Sequence, residues 1–285
     1  MLVLIRGAGD IASGVALRLY NAGFFVIMTE QKKPTAIRRT VSFCEAVTNG
    51  SAEVEGVTSI LADSPMAALE ALKDGVIPIL VDEYNTSIDI ICPDVLVDAI
   101  LAKKNLGTRK EDAPIVIALG PGFAAGKDCH AVIETMRGHN LGRVFYDGEA
   151  MQDTKTPGNI GGYTTERVIK ATAAGYFSGI VPIGSIVRAG EMIGRIGDTP
   201  VFAKIDGMLR GILSDGVAVH GGMKCGDVDP RCEFWHCFTV SDKARSIGGG
   251  VLEAIMRLSK KEHIAAGNSR CTCALCLESK SDNAT

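Results

Sequence analysis

Leu2-Val-Leu-Ile-Arg-Gly-Ala-Gly-Asp-Ile-Ala12 is followed by an amphipathic stretch to Asn21 and by the apolar run Phe24-Phe-Val-Ile-Met-Thr29, which Glu30 closes. A short apolar run, a glycine turn, a helical period and a second apolar run read as strand, helix, strand. Within the turn, Gly7, Gly9 and Ala12 have the Gly-x-Gly-x-x-Ala spacing of a dinucleotide fingerprint. In that fingerprint the first glycine makes the tight turn, the second admits a pyrophosphate, and the small third residue lets the helix pack on the strand. Asp10 lies in the turn before a helix expected over Ile11 to Asn21, and Glu30 stands 21 residues beyond Gly9, where an acid can accept from ribose hydroxyls. Gly7, Gly9, Asp10 and Glu30 are therefore candidate cofactor-binding residues.

The alternation continues outward. Helical periods at 65–73, 94–104 and 128–137 separate apolar strands at 76–81, 115–119 and 142–146. Strands separated by helices predict an α/β fold with a parallel, doubly wound, Rossmann-like sheet over residues 1–150. The strand Ile115 to Leu119 runs into Gly120-Pro-Gly-Phe-Ala-Ala-Gly126, then Asp128, Cys129, His130, Glu134, Arg137 and His139. Glycines between a strand and a helix let backbone amides approach an anion at the helix N-terminus. Gly120, Gly122, Gly126, Arg137 and His139 join the candidate cofactor site on that reasoning. An ordinary connection after a parallel strand has the same composition.

Residues 151–240 follow another pattern. Gly179-Ile-Val-Pro-Ile-Gly184, Val187, Gly190 and Gly194 recur 32 residues later as Gly211-Ile-Leu-Ser-Asp-Gly216, Val219, Gly222 and Gly226. Short strands punctuated by glycine turns in two similar units predict a small β domain resembling the barrel-sandwich hybrid of lipoyl and biotinyl carriers. Lys204 does not sit where a carrier presents its modified lysine, so the domain reads as a scaffold. After the repeat come Lys224, Asp227, Asp229 and Arg231, a charged turn read either as part of the cofactor site or as surface ion pairs. Cys237 follows it and is the candidate nucleophile, because Arg231 or Lys224 can stabilise a thiolate; a small buried hydrophobe is the competing account. A helix over 241–260 buries Ile247, Val251, Ile255 and Leu258, and its central Gly248, Gly249 and Gly250 predict the close approach of another backbone or a ligand. In the tail, 261–285, Cys271, Cys273 and Cys276 are candidate zinc or copper ligands with His263; a mobile tail with reactive thiols is the alternative.

Composition bounds the rest. With 285 residues, 46% hydrophobic and 22% charged, the chain can bury one large or two ordinary cores. A net charge of −3 without a long basic block argues against nucleic acid. No apolar run approaches the roughly 20 residues of a membrane span, and the start is unlike a signal peptide. Nine cysteines without a secretory signal read as reduced thiols, so a cytoplasmic location is expected.

Arg6-Gly-Ala-Gly-Asp-Ile-Ala-Ser-Gly14, Ile37-Arg-Arg-Thr-Val-Ser-Phe43, Leu119-Gly-Pro-Gly-Phe123, Glu134-Thr-Met-Arg-Gly-His139-Asn-Leu-Gly-Arg143, Gly226-Asp-Val-Asp-Pro-Arg231, Ser241-Asp-Lys243 and Gly249-Gly-Val-Leu-Glu-Ala254 occur in this order. Over about residues 1–260 the chain resembles the YqeB-type accessory proteins of selenium-dependent molybdenum hydroxylases. The resemblance implies an accessory role in maturing such hydroxylases, with the hydroxylase and other maturation proteins as partners. It implies a nucleotide or the molybdenum cofactor as ligand and assistance with selenium insertion. Cys129 and Cys225 stand where aliphatic residues are expected in relatives, whereas Cys237 is closer to the pattern. Candidate cofactors are NAD(P) or another adenine nucleotide, and a molybdopterin-type cofactor. Two alternatives remain open. One is an NAD(P)-dependent oxidoreductase using His130, His139 or Lys127 as the proton-handling group. The other is a non-catalytic molybdenum cofactor chaperone similar to the XdhC type.

Overall fold

The computed structural model describes residues 1–265, with side chains through residue 260. The candidate thiols Cys271, Cys273 and Cys276 lie outside the described residues, as does the side chain of His263. In chain order the first half comprises β1 (Leu2–Arg6), α1 (Asp10–Asn21), β2 (Phe25–Glu30), α2 (Glu45–Asn49), β3 (Ser51–Val54), β4 (Val57–Leu61), α3 (Pro65–Ala71), β5 (Ile77–Val81), α4 (Ile88–Ile91), β6 (Val95–Asp98), β7 (Ile115–Leu119), β8 (Ala124–Ala125), β9 (Ala131–Ile133), β10 (Val144–Phe145) and β11 (Gly148–Glu149). The second half comprises β12 (Val168–Lys170), β13 (Gly175–Gly179), β14 (Ile186–Val187), β15 (Met192–Ile196), β16 (Thr199–Phe202), β17 (Gly207–Ile212), β18 (Ala218–Val219), β19 (Lys224–Asp229) and α5 (Asp242–Ala265).

Nine strands form one mixed sheet in the order β10-β9-β7-β6-β1-β2-β5-β4-β3. The pairs from β9 through β4 are parallel, and the edge strands β10 and β3 run antiparallel to their neighbours. Central strands β1, β6 and β7 are buried throughout, which matches their continuous apolar runs. Helices α1 and α5 pack together over one face, with Val3, Ile5, Ile117, Val240, Ile247, Val251 and Ile255 in a common apolar cluster. A second cluster covers the opposite face, built from Leu4, Ile27, Leu72, Leu96, Val116 and Val132.

The expected pairing of a purely parallel Rossmann-like sheet with a separate barrel-sandwich-hybrid-like domain is corrected by this arrangement. A doubly wound sheet needs a helix in each crossover, but residues 94–104 form β6 and a loop, and residues 128–137 form β9 and a loop. Val95-Leu-Val97 and Ala131-Val-Ile133 are short, β-branched runs, and their helical spacing yields to pairing inside a buried sheet. The fold is instead mixed α/β around one large mixed sheet. Its α5 layer comes from the far end of the chain.

The second half builds two four-stranded antiparallel sheets, β12-β19-β17-β14 and β16-β15-β13-β18. The sequence repeat is visible in them, since β17, β18 and β19 follow β13, β14 and β15 at the repeat spacing. Each unit's middle strand pairs with the other unit's first strand, β14 with β17 and β18 with β13, so the units are interlocked rather than two separate hairpins. Ile37 of the first half belongs to their apolar cluster, and Arg39 Nε donates to the Ile212 carbonyl at 2.9 Å. No helix among the described residues is long and apolar enough to cross a membrane.

Candidate functional site

The turn after β1 is held by its own side chains. Gly7 has φ +95°, and a Cβ there would lie 3.0 Å from the Ala99 carbonyl oxygen, so only glycine fits without strain. Its amide donates to the Thr29 carbonyl at 2.8 Å, and the Ala8 amide donates to Glu30 Oε2 at 3.0 Å. The other Glu30 oxygen accepts from the Gln31 amide at 2.8 Å. Burial raises the Glu30 pKa, and the two amide hydrogen bonds and Glu83 modulate it. Gly9 is the N-cap of α1 with ordinary φ −70°, and Asp10 occupies the first helical turn. Gly7, Gly9, Asp10 and Glu30 line one compartment of about 460 Å³ together with Arg6, Asp82, Glu83 and Tyr84.

Asp10, Ile11 and Leu101 also line a second compartment of about 730 Å³. Here α1 and α5 both present their N-terminal residues, Asp10 and Ile11 from one, Ser241 and Lys243 from the other. Arg38 reaches Asp10 at 3.5 Å and donates from Nη2 to the His236 and Thr239 carbonyls at 2.9 and 3.2 Å. It is buried, which lowers its pKa, while Asp10 opposes that. Arg137 holds Asp242 in a two-pronged ion pair at 2.8 and 3.0 Å, tying the loop after β9 to the start of α5 and depressing the Asp242 pKa strongly.

A buried charge ladder forms the far wall. Arg167 and Arg210 both bind Asp227, Arg210 also reaches Asp229 at 3.1 Å, and Arg231 closes the chain on Asp229 at 2.6 Å. Burial pushes the Asp229 pKa up, but the hydrogen bonds and charges of Arg231 and Arg210 outweigh it and bring the group to about 2. Asp227 is likewise lowered, its burial offset by Lys224, Arg210 and Arg167. Each buried carboxylate is therefore paired, as the cost of an isolated buried charge requires.

Lys224 and Lys243 differ from the arginines of the cleft, and share with Lys155 the lack of a direct partner among the described residues. Their ammonium groups make no ion pair or hydrogen bond with any described residue. Both pKa values are lowered, first by burial; Asp227 and Asp10 oppose this at Lys224 while Arg167 and Arg210 add to it. At Lys243, Asp10 and Glu134 oppose it while Arg137 and Lys224 add to it. Lys224 has a large accessible surface, yet it stands inside a concave wall, so it is wetted and still surrounded by protein.

The sequence candidates separate accordingly. Lys224, Asp227 and Arg137 meet in the larger compartment with Asp10, while Gly7, Gly9 and Glu30 face the smaller one. Pro121, between Gly120 and Gly122, lines the larger compartment, so the second glycine turn and the charged turn share one cleft. Gly120 and Gly122 themselves serve close packing: a Cβ would lie 2.6 Å from Thr135 Oγ1 or from the Lys104 backbone. Gly126 and His139 line neither compartment, and Asp229 and Arg231 stand behind the wall rather than in it. His130 accepts from the Val116 amide through Nδ1 at 3.0 Å, a bond that ties the loop to β7. Cys237 is fully buried, and burial raises its thiol pKa despite Arg210 and Arg38, the reverse of what a nucleophile needs. Arg38, Arg167, Arg210 and Lys243 are site residues that the sequence does not single out; Arg38 and Lys243 lie within the ordered motifs, but nothing local marks them as converging.

No protein-family model matches the chain. It is 58% identical over 257 residues to a protein of Escherichia coli strain K12 described as "Uncharacterized protein YqeB", a match covering 90% of this chain and 48% of that protein. The chain thus spans about half the length of the curated relative it matches. Among solved structures, an aspartoacylase family protein of Mesorhizobium loti is 12% identical, covers 80% of this chain and 83% of its own, and superposes with a TM-score of 0.23. The ectoine utilization protein EutE (DoeB) of Ruegeria pomeroyi is 14% identical, covers 80% and 84%, and has a TM-score of 0.25. Superpositions this weak establish no common fold. The selenium and molybdenum maturation role expected from the resemblance is corrected here. The curated relative is described as uncharacterised, so the similarity carries no such role to this chain.

Proposed function

We propose that the chain binds a negatively charged nucleotide or nucleotide-like cofactor in the cleft where the N-termini of α1 and α5 meet the charge ladder. One observation carries this reading. The larger compartment is lined by eight Arg and Lys side chains against three Asp, in a chain whose net charge is −3. Positive charge concentrated in a concave, partly desolvated site focuses its field on an anion. Arg167 and Arg210 are satisfied by carboxylates and carbonyls and serve as fixed wall, whereas Lys224 and Lys243 have their hydrogen-bonding capacity open and Arg38, though held by Asp10 and two carbonyls, leaves its buried Nε without a partner among the described residues.

The two helix starts add the partial positive charge of their dipoles, although at α5 the Ser241 hydroxyl already takes the Ala244 amide and the Asp242 carboxylate the Lys243 amide. Glu134 sets the cleft's rim, because its buried carboxylate accepts from the Met136 amide at 2.7 Å and the Met151 amide at 2.8 Å and so ties down the segment that lines the cavity beyond residue 150. Thermal unfolding with ADP, NAD and NADP tests the proposal. A ligand at 100 times its Kd stabilises the folded state by about 2.7 kcal/mol. A rise in Tm with at least one of these nucleotides is expected; no rise with any of them at millimolar concentration would overturn the reading.

A further inference from the structure

The two compartments have opposite polarity, and this gives the ligand a direction. Around the Gly7–Gly9 turn the side chains are acidic: Asp10, Glu30, Asp82 and Glu83, against the single cation Arg6. Arg6 is itself paired with Asp98 and Thr108. The amides that a pyrophosphate would use in such a turn are already engaged, Gly7 by the Thr29 carbonyl and Ala8 by the Glu30 carboxylate. The Asp10 carboxylate occupies the first turn of α1, where an incoming phosphate would meet like charge. Tyr84, 83% exposed, stands at the rim of this compartment and offers an aromatic face. Across Asp10, Ile11 and Leu101 the second compartment is cationic, with Lys224 and Lys243 unpaired among the described residues.

We propose that the ligand is of the nucleoside diphosphate class, its diphosphate seated between Lys224 and Lys243 rather than on the Gly7–Gly9 turn, and its nucleoside lying toward Glu30 and Tyr84. This rests on the reading of the cleft as an anionic-nucleotide site and adds the ligand's orientation. Hydroxyl donors of the sugar meet the acidic compartment, and the anionic end meets the lysines. The groups facing the lysines are Asp10, Asp227, Arg137, Arg167, Arg210 and Glu134, so each ammonium has carboxylates near it but none within ion-pair distance.

Calorimetric titration with ADP and with inorganic pyrophosphate tests the orientation on wild type, Lys224→Met, Lys243→Met and Gly9→Val. Neither ammonium holds a direct ion pair or hydrogen bond with a described residue, and Asp227, which loses the nearby Lys224 charge in Lys224→Met, keeps Arg167 and Arg210, so circular dichroism of each variant is compared with wild type before titration. Gly9 has φ −70° and an extended ψ, and a Cβ there meets only Ala36 Cβ at 3.8 Å, so the first carbon of an added side chain fits the turn without a clash. Removing a charge-assisted hydrogen bond at either lysine weakens ADP and pyrophosphate binding by about 10-fold to 100-fold. Pyrophosphate binding by Gly9→Val stays within about twofold of wild type, because the turn does not hold the anion. Pyrophosphate binding abolished in Gly9→Val and unchanged in both lysine variants would overturn the orientation while leaving nucleotide binding intact. A wild-type protein that binds neither probe would instead remove the functional reading itself.

Discussion

Replacing Gly249 and Gly250 separately by Ala should move stability in opposite directions. Both lie inside α5, and glycine costs a helix interior about 0.8–1.0 kcal/mol relative to Ala. At Gly249 an added Cβ meets nothing within 4 Å, so Gly249→Ala should stabilise the protein by about 1 kcal/mol. At Gly250 the Cβ would fall 2.3 Å from the Gly142 carbonyl oxygen and 3.0 Å from Ile133 Cγ2. Gly142 cannot retreat easily, since its amide donates to the Glu134 carbonyl at 2.9 Å and its own Cα faces the Ser246 backbone. Overpacking of this kind costs roughly 1–3 kcal/mol and exceeds the propensity gain. Gly250→Ala should therefore be net destabilised, by up to about 2 kcal/mol. Equilibrium urea unfolding followed by circular dichroism reads both, with an unchanged slope confirming that the midpoint shift is stability. Equal midpoints, or a Gly250→Ala protein more stable than Gly249→Ala, would refute the close-backbone explanation of the glycine run.

Acid should release the charge ladder. A carboxylate held at about 2 against an ordinary 3.8 contributes stability above pH 4 that is lost as pH falls toward 2, an effect of about 2 kcal/mol for Asp229. Asp229→Asn should be less stable at pH 7 and show a smaller loss on acidification, the remainder coming from Asp227 and Asp242, whose pKa values are also lowered; an undiminished acid transition in the variant would assign it to those groups. Mild alkylation at neutral pH should label the exposed Cys92 and Cys232 and spare Cys237, Cys129 and Cys225, whose thiols are buried and raised, the last two to about 12 and about 11. Rapid labelling of Cys237 on peptide mapping would contradict its burial. Nucleotide affinity should decline with rising pH before the free-lysine range, because Lys224 and Lys243 lose their protons below 10.5; an affinity constant up to pH 10.5 would exclude them as the anion's partners.

The parts of the fold readable in the chain are those fixed over short spans. Residues 2–30 state their strand, turn, helix and strand through glycine placement and two clean periods; the observed α1 begins one residue earlier than expected and β2 is shifted by one residue at both ends. The interval of the internal repeat likewise survives as β13–β15 and β17–β19. The misread elements are β6 and β9, where apolar runs of three or four residues satisfy either period and burial on both sheet faces decides. At the site, the charged turn containing Lys224 and Asp227 announces itself locally. Lys243 reads as an ordinary residue after the Ser241 cap. Arg38 acquires its place through Asp10 and through carbonyls about 200 residues away, at His236 and Thr239. The placement of Cys237 beside Arg38 and Arg210 is also invisible in the sequence, and without its burial the nearby cations suggest reactivity.

Calorimetric titration of the wild-type protein with ADP and with adenosine, each at 50 and 200 mM salt, tests the central claim most directly. A cleft that holds its ligand by a surplus of cations should bind ADP, bind adenosine far more weakly, and lose ADP affinity as salt screens the lysines. Adenosine binding as tightly as ADP, with no dependence on salt, would contradict the account.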